Sequence, residues 1–149
     1  MTVKVFVDSN VILYARDQAA PEKRRKSIEW LAALASRESA VVSPQVINES
    51  IRAFIDKMDA TAPELHTFVV AMTPWCTAPV DPQVIARAID VRSRWLFAWW
   101  DSLIVAAALS AGCDYLLTED LQDGQSLEGM RVIDPFLHDP GSVLPAETR

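Results

Sequence analysis

The sequence is poor in the residues that several large enzyme classes require. It contains only four glycines, and none of them forms part of a glycine-rich phosphate loop or a dinucleotide-binding motif. Its two histidines, His66 and His138, have sequence contexts that favour surface positions over a catalytic base or a metal ligand. The common nucleotide-binding motifs are therefore excluded, and nothing in the sequence favours histidine chemistry.

Cysteine and lysine are also scarce where some folds need them. Cys76 and Cys113 each stand alone in an apolar stretch, which favours small core residues over a disulfide and predicts a reduced, cytoplasmic compartment. No lysine follows Lys57. That absence argues against receiver-like and haloacid-dehalogenase-like folds, which share an early aspartate with this sequence but use a late lysine.

Positive charge is in the minority, because 14 lysines and arginines stand against 20 acidic residues and the formal net charge is −6. This balance argues against broad, non-specific binding of nucleic acid, which needs a basic surface. Two short basic segments still stand out, and their cations include Lys23, Arg24, Arg25, Arg92 and Arg94. Each segment is either a solvated helix face or a contact for a nucleic-acid backbone.

Long apolar runs are absent as well, since no stretch approaches the ~20 residues that a membrane helix needs. The first residues have the pattern of a strand and not that of a secretory signal, so no membrane segment is expected. The chain has no internal repeat, low-complexity tract or linker. We therefore predict a single domain over residues 1–149, with an irregular, proline-rich tail from about residue 135.

Strand and helix patterns alternate along the chain. The predicted strands are residues 3–7, 40–43, 75–78, 114–118 and 131–133. The predicted helices are residues 21–36, 44–58, 63–72, 82–95 and 99–111. Two helices begin with a capping side chain and a proline, at Ser43-Pro44 and Asp81-Pro82, and the last long helix ends at Gly112. This alternation predicts an α/β fold with a mainly parallel sheet covered by helices on both faces.

Four acidic residues stand where chemistry is expected. Asp8 and Asp120 each follow an apolar strand, and the carboxyl ends of parallel strands form the ligand-binding edge of such a sheet. Asp101 is the only charge in an otherwise apolar helix, and Glu49 lies off the apolar stripe of its own helix. Asp123 is close enough in sequence to Asp120 to assist it.

Each acid also has a plain structural explanation. Asp8 would cap the helix that follows it, and Asp101 would cap a helix beginning at Ser102. Glu49 would be a solvated helix position, and Asp120 a turn residue. A purely structural explanation is less convincing for the four acids together, because converging carboxylates repel one another unless some are protonated or a cation lies among them. Oxygen ligands without histidine or cysteine favour Mg²⁺ or Mn²⁺.

Four stretches of the sequence resemble the PIN domain (PilT N-terminal) family, and in particular its small VapC-like toxins. They are "VFVDSNVILYA", "SPQVINES", "WWDSLIVAAALSAGCDYLLTEDL" and "MRVIDPF", and the resemblance extends over almost the whole chain. The resemblance implies a three-layer fold with a mainly parallel central sheet of four to five strands. One departure is Asp134, where related sequences often have asparagine before Pro-Phe.

The resemblance also implies a set of site residues and an activity. The family's metal-binding acids correspond to Asp8, Glu49, Asp101 and Asp120, and its two further polar residues correspond to Asn10 and Thr118. The implied activity is Mg²⁺- or Mn²⁺-dependent cleavage of RNA. The implied partners are an antitoxin protein and a second copy of the chain, with "RWLFAWW" as a candidate contact surface. The alternatives are a non-catalytic module that binds RNA or protein, and a phosphodiesterase that acts on DNA.

Overall fold

The computed structural model describes residues 2–147, which form two compact units. The first unit combines the chain up to Ala40 with the chain from Cys113 onward, and the second unit is Val41–Gly112. The strands are β1 (Val5–Val7), β2 (Ala40–Val41), β3 (Tyr115–Leu117), β4 (Ser126–Leu127) and β5 (Met130–Ile133). The helices are α1 (Ser9–Tyr14), α2 (Pro21–Ser36), α3 (Pro44–Met58), α4 (Ala62–Met72), α5 (Pro82–Trp95), α6 (Trp99–Ser110) and α7 (Pro140–Val143).

A five-stranded sheet organises the first unit, in the order β2-β1-β3-β5-β4. β1 and β5 both run parallel to β3, whereas β4 is antiparallel to β5. The predicted α/β fold with a mainly parallel sheet is therefore confirmed. Val7 lies opposite Leu117 in the register, so the residues that follow β1 and β3 emerge together at one edge of the sheet.

The second unit contains α3 to α6, and the predicted start and stop signals hold there. The hydroxyl of Ser43 accepts the backbone N–H of Val46 at the start of α3, and the carboxylate of Asp81 accepts that of Val84 at the start of α5. Gly112 follows the end of α6 with a φ of +72°, the left-handed conformation that glycine adopts most readily.

One predicted strand was wrong, and one strand was missed. Residues 75–78 do not form a strand: Thr73–Trp75 is a turn of 3₁₀-helix, and Cys76 makes only an isolated bridge to Val42. Pro74 explains this, because its fixed φ suits a helical turn and it has no N–H to donate to a sheet. The hairpin of β4 and β5 was not predicted. It turns at Glu128 and Gly129, both with positive φ, and Glu-Gly is a weaker turn signal than Asn-Gly.

The tail contains one short helix, and the single domain with an irregular tail stays a prediction. Within residues 135–147 the chain forms the one-turn helix α7. The indole N–H of Trp30 on α2 lies 3.0 Å from the carbonyl oxygen of Pro135 and 2.9 Å from that of His138. Trp30 is 1% exposed, so α2 fixes the first part of the tail through a buried side chain.

Candidate active site

Asp8 lies directly after β1 and makes two kinds of contact. It is only 4% exposed, and its Oδ1 accepts the backbone N–H of Ser9 at 2.8 Å, so it caps α1. Its Oδ2 accepts the hydroxyl of Thr118, which follows β3, at 2.9 Å. The predicted capping role is confirmed, and these bonds offset much of the cost of burying the carboxylate.

The amide of Asn10 bridges two carboxylates. Its Nδ2 lies 3.0 Å from Oδ2 of Asp120, 3.0 Å from Oγ1 of Thr118 and 3.4 Å from Oδ2 of Asp8. Its Oδ1 is buried and has no hydrogen-bond partner among residues 2–147. The structure therefore brings Asp8, Asn10, Thr118 and Asp120 together, and we call these four residues the edge cluster.

Thr118 is the centre of the edge cluster. Its Oγ1 donates to Asp8 and accepts both the Asn10 amide and the backbone N–H of Asp120, the latter at 3.1 Å. These three bonds use the full capacity of a hydroxyl group, and Thr118 is 1% exposed. Asp120 itself is exposed, so the cluster has a buried base and an open rim.

A second group of polar side chains lies at the start of α6. Gln45, on α3, donates its Nε2 to Oε1 of Glu49 at 2.7 Å and to the carbonyl oxygen of Trp100 at 3.3 Å. Asp101 follows Trp100 in the first turn of α6. Gln45 therefore joins the helix that carries Glu49 to the helix that carries Asp101. Gln45 was not among the residues predicted from the sequence, although its position one helical turn before Glu49 was a usable signal.

The capping alternative for Asp101 was wrong. α6 begins at Trp99, with Ala98 as the N-cap, so Asp101 is the third helical residue and not the cap. The backbone N–H of Ser102 donates to the carbonyl oxygen of Ala98 at 2.9 Å, so the helix is already formed before Ser102, where the capping alternative would have it begin. An acid in this turn is still favoured by the helix dipole.

The chemistry of the donors fits a hard divalent cation. In the first unit, the edge cluster offers two carboxylates and the unpartnered Asn10 Oδ1, all of them oxygen. The second unit, taken by itself, also offers only oxygen, from Glu49, Asp101 and the Gln45 amide. No group of three or more His, Cys, Asp or Glu side chains in the described part of the chain is already arranged to hold a metal ion. The four-acid metal site therefore stays a prediction.

Two basic residues of α2, Lys23 and Arg25, already have partners on the protein. Lys23 forms an ion pair with Glu119 at 2.8 Å and lies 4.7 Å from the ring centre of Tyr14 and 4.9 Å from that of Phe136. Its hydrogen bond to Glu119 is the main reason that the pKa of Lys23 is raised. Arg25 pairs with Glu22 and Glu29 on the same helix. These contacts favour a solvated helix face over a nucleic-acid contact for Lys23 and Arg25; for the exposed Arg24, the nucleic-acid role stays a prediction.

The second basic segment lies beside aromatic rings. The guanidinium of Arg94 lies 4.5 Å from the ring centre of Trp95, whose ring is stacked nearly parallel to that of Phe97. Arg92 and Arg94 are both exposed, and Trp100 is 63% exposed. Positive charge and exposed aromatic surface therefore occur together in residues 92–100.

Asp123 orders the loop behind the edge cluster. Its Oδ1 accepts the backbone N–H of Asp134 at 2.9 Å, and its Oδ2 lies 2.8 Å from Nε2 of His138. The hydrogen bond from Asp134 is the main cause that lowers the pKa of Asp123. Both oxygens are thus engaged by the 134–138 segment, so the contacts that we observe make Asp123 a structural residue and not an assistant to Asp120.

Replacing Asp123 with alanine is expected to lower the free energy of unfolding by about 1–2 kcal/mol at neutral pH, because a hydrogen-bonded carboxylate is lost. A lowered pKa gives stability that is complete above the unfolded value, near 3.8, and is lost as pH falls through the folded value. In urea denaturation, the difference between the variant and wild type in the free energy of unfolding should therefore be constant between pH 7 and about pH 5. Below pH 3.8 this difference should become smaller. A difference that already disappears between pH 7 and pH 5 would contradict this assignment.

Neither cysteine is suited to act as a nucleophile. Both are free thiols, and burial raises the pKa of the Cys113 thiol to about 12 and also raises that of Cys76.

No helix within residues 2–147 is long and apolar enough to cross a membrane.

Comparison with known proteins agrees with this fold. The family model of the PIN domain matches residues 5–122, and the chain belongs to the PIN domain family, whose members are typically nucleases. No curated protein sequence matches the chain. Among solved structures, a chain of a toxin–antitoxin complex from Klebsiella pneumoniae is similar, with a TM-score of 0.63 and 16% identity over 89% of this chain and 98% of the other. At that identity the likeness supports the fold alone.

Proposed function

We propose that this protein is a Mg²⁺- or Mn²⁺-dependent endoribonuclease and the toxin of a toxin–antitoxin pair. The observation that carries the proposal is the edge cluster. In this PIN domain, the carboxylates of Asp8 and Asp120 meet at the carboxyl edge of the parallel sheet, and the Asn10 amide bridges them. The donors described for these two carboxylates are neutral, and two adjacent negative charges favour a cation as a further partner.

In this proposal Asp8, Glu49, Asp101 and Asp120 hold the cation, which when bound activates water and stabilises charge on the phosphate. Asn10 keeps the carboxylates of Asp8 and Asp120 oriented towards one another. Thr118 fixes the buried oxygen of Asp8 and the backbone of Asp120. The chain's own contribution is thus to present charged oxygens in fixed positions, which is the usual role of protein groups in metal-assisted hydrolysis.

The proposed partners are an antitoxin protein and a second copy of the chain, in a cytoplasmic setting. The similar structure from Klebsiella pneumoniae comes from a toxin–antitoxin complex, which supports an antitoxin partner here. The exposed Leu96 and Trp100 in "RWLFAWW" support the proposed homodimer contact, because contiguous exposed apolar surface is a common feature of interfaces.

The test is cleavage of matched, end-labelled single-stranded RNA and DNA of the same base sequence. We expect Mn²⁺- or Mg²⁺-dependent cleavage of the RNA only, with products that disappear when EDTA is added. Mapping of new 5′ ends in cells induced for the protein would then identify the RNA that is cut. Cleavage of the DNA would favour the DNA phosphodiesterase, and binding of RNA without cleavage at any metal concentration would favour the non-catalytic module.

A further inference from the structure

Gln45 is a buried amide with an unusual balance of contacts. It is 9% exposed, and its Nε2 donates both to the Glu49 carboxylate at 2.7 Å and to the carbonyl oxygen of Trp100 at 3.3 Å. Two bonds use both hydrogens of the amide group. The nitrogen end of Gln45 is therefore satisfied by two elements of the second unit, α3 and the first turn of α6.

The oxygen end of the same amide has no partner. Gln45 Oε1 is buried and accepts no hydrogen bond from any residue that the structure describes. A buried acceptor without a partner costs about 1–3 kcal/mol, and a water or ion as partner is a common explanation. Turning the amide by 180° would not remove the problem. It would break both hydrogen bonds that Nε2 donates, to Glu49 and to the carbonyl oxygen of Trp100.

We propose that Gln45 is a positioning residue for the cation site, and that its Oε1 is an additional oxygen donor to the bound cation. Its Nε2 holds the Glu49 carboxylate in one orientation and ties it to the backbone next to Asp101. This inference rests on the proposed metal-dependent function. It assigns a role to the buried, unpartnered Oε1, which neither contact of Nε2 explains.

The first experiment compares wild type, Gln45→Met and the control Gln83→Met by calorimetric titration with Mn²⁺. Methionine has nearly the shape of glutamine but neither donates nor accepts strongly, and Gln83 is an exposed glutamine on α5. We expect Gln45→Met to weaken Mn²⁺ binding by about 10- to 100-fold, the usual effect of removing a group that orients metal ligands. The control should bind Mn²⁺ as wild type does.

The second variant, Gln45→Glu, keeps an oxygen but replaces the donor with a charge that faces Glu49. We expect its melting temperature without metal to fall below that of wild type, because like charges are then adjacent. Mn²⁺ should raise that melting temperature by more than it raises that of wild type, because the cation relieves the repulsion.

The outcomes separate this inference from the proposed function. Unchanged Mn²⁺ affinity in Gln45→Met, or no extra stabilisation of Gln45→Glu by Mn²⁺, would overturn the role of Gln45 even if wild type cleaves RNA. Weakened Mn²⁺ binding in Gln45→Met together with no RNA cleavage by wild type would support Gln45 and overturn the ribonuclease. A wild-type protein that binds no Mn²⁺ would overturn both.

Discussion

Replacing Asp8 with asparagine is expected to lower the rate of RNA cleavage by about 100-fold or more, because the site loses a buried charge that would hold the cation. Stability should change by less than about 1 kcal/mol, since asparagine caps a helix nearly as well as aspartate does.

The matched control is Asp81→Asn, which makes the same substitution at the cap of α5. Cleavage assays and urea denaturation of both variants separate the effect of the lost charge on activity from the effect of the changed helix cap on stability. If Asp8→Asn and Asp81→Asn both retained full activity, capping would be the whole role of Asp8, and the metal assignment would be lost.

Replacing Asp101 with asparagine is expected to have an effect of similar size on cleavage, about 100-fold or more, if Asp101 is a ligand. Asp101 is not a helix cap, so an effect on activity cannot be attributed to a lost capping bond. The change should leave thermal stability the same or slightly higher, because it removes a negative charge from a site that is expected to collect several.

Asp90→Asn is a suitable comparison for Asp101→Asn, because Asp90 is an exposed acid on the neighbouring helix α5. The decisive measurement is the cleavage rate at saturating Mn²⁺ for both variants. Full activity in Asp101→Asn would remove Asp101 from the proposed ligands. Loss of activity in both variants would show that overall negative charge, and not one position, controls the reaction.

Much of the fold was predictable because local signals and burial pointed the same way. The apolar runs before Asp8 and Thr118 became the paired strands β1 and β3, and the register of a parallel pair then placed the two polar motifs at one edge. Helix starts at Ser43 and Asp81 were readable because the cap and the following proline act locally.

The parts that were missed depend on contacts distant in sequence or on weak turn chemistry. Trp75 and Cys76 have a strand-like composition, but Pro74 directs the chain into a helical turn. Gln45 was not singled out, because only the folded second unit shows that its amide reaches the carbonyl oxygen of Trp100 from 55 positions away. The ion pair of Lys23 with Glu119 likewise joins residues that no local pattern connects.

Each acidic side chain in the short loop between β3 and β4 forms a hydrogen bond or an ion pair with another segment. Glu119 pairs with Lys23, Asp120 accepts the Asn10 amide, and Asp123 binds the segment that begins at Asp134. Each tether leads to a different part of the first unit, so the loop has little conformational freedom left to lose. A ligand that engages Asp120 would therefore meet a preorganised rim, and less of its binding energy would be spent on ordering the chain.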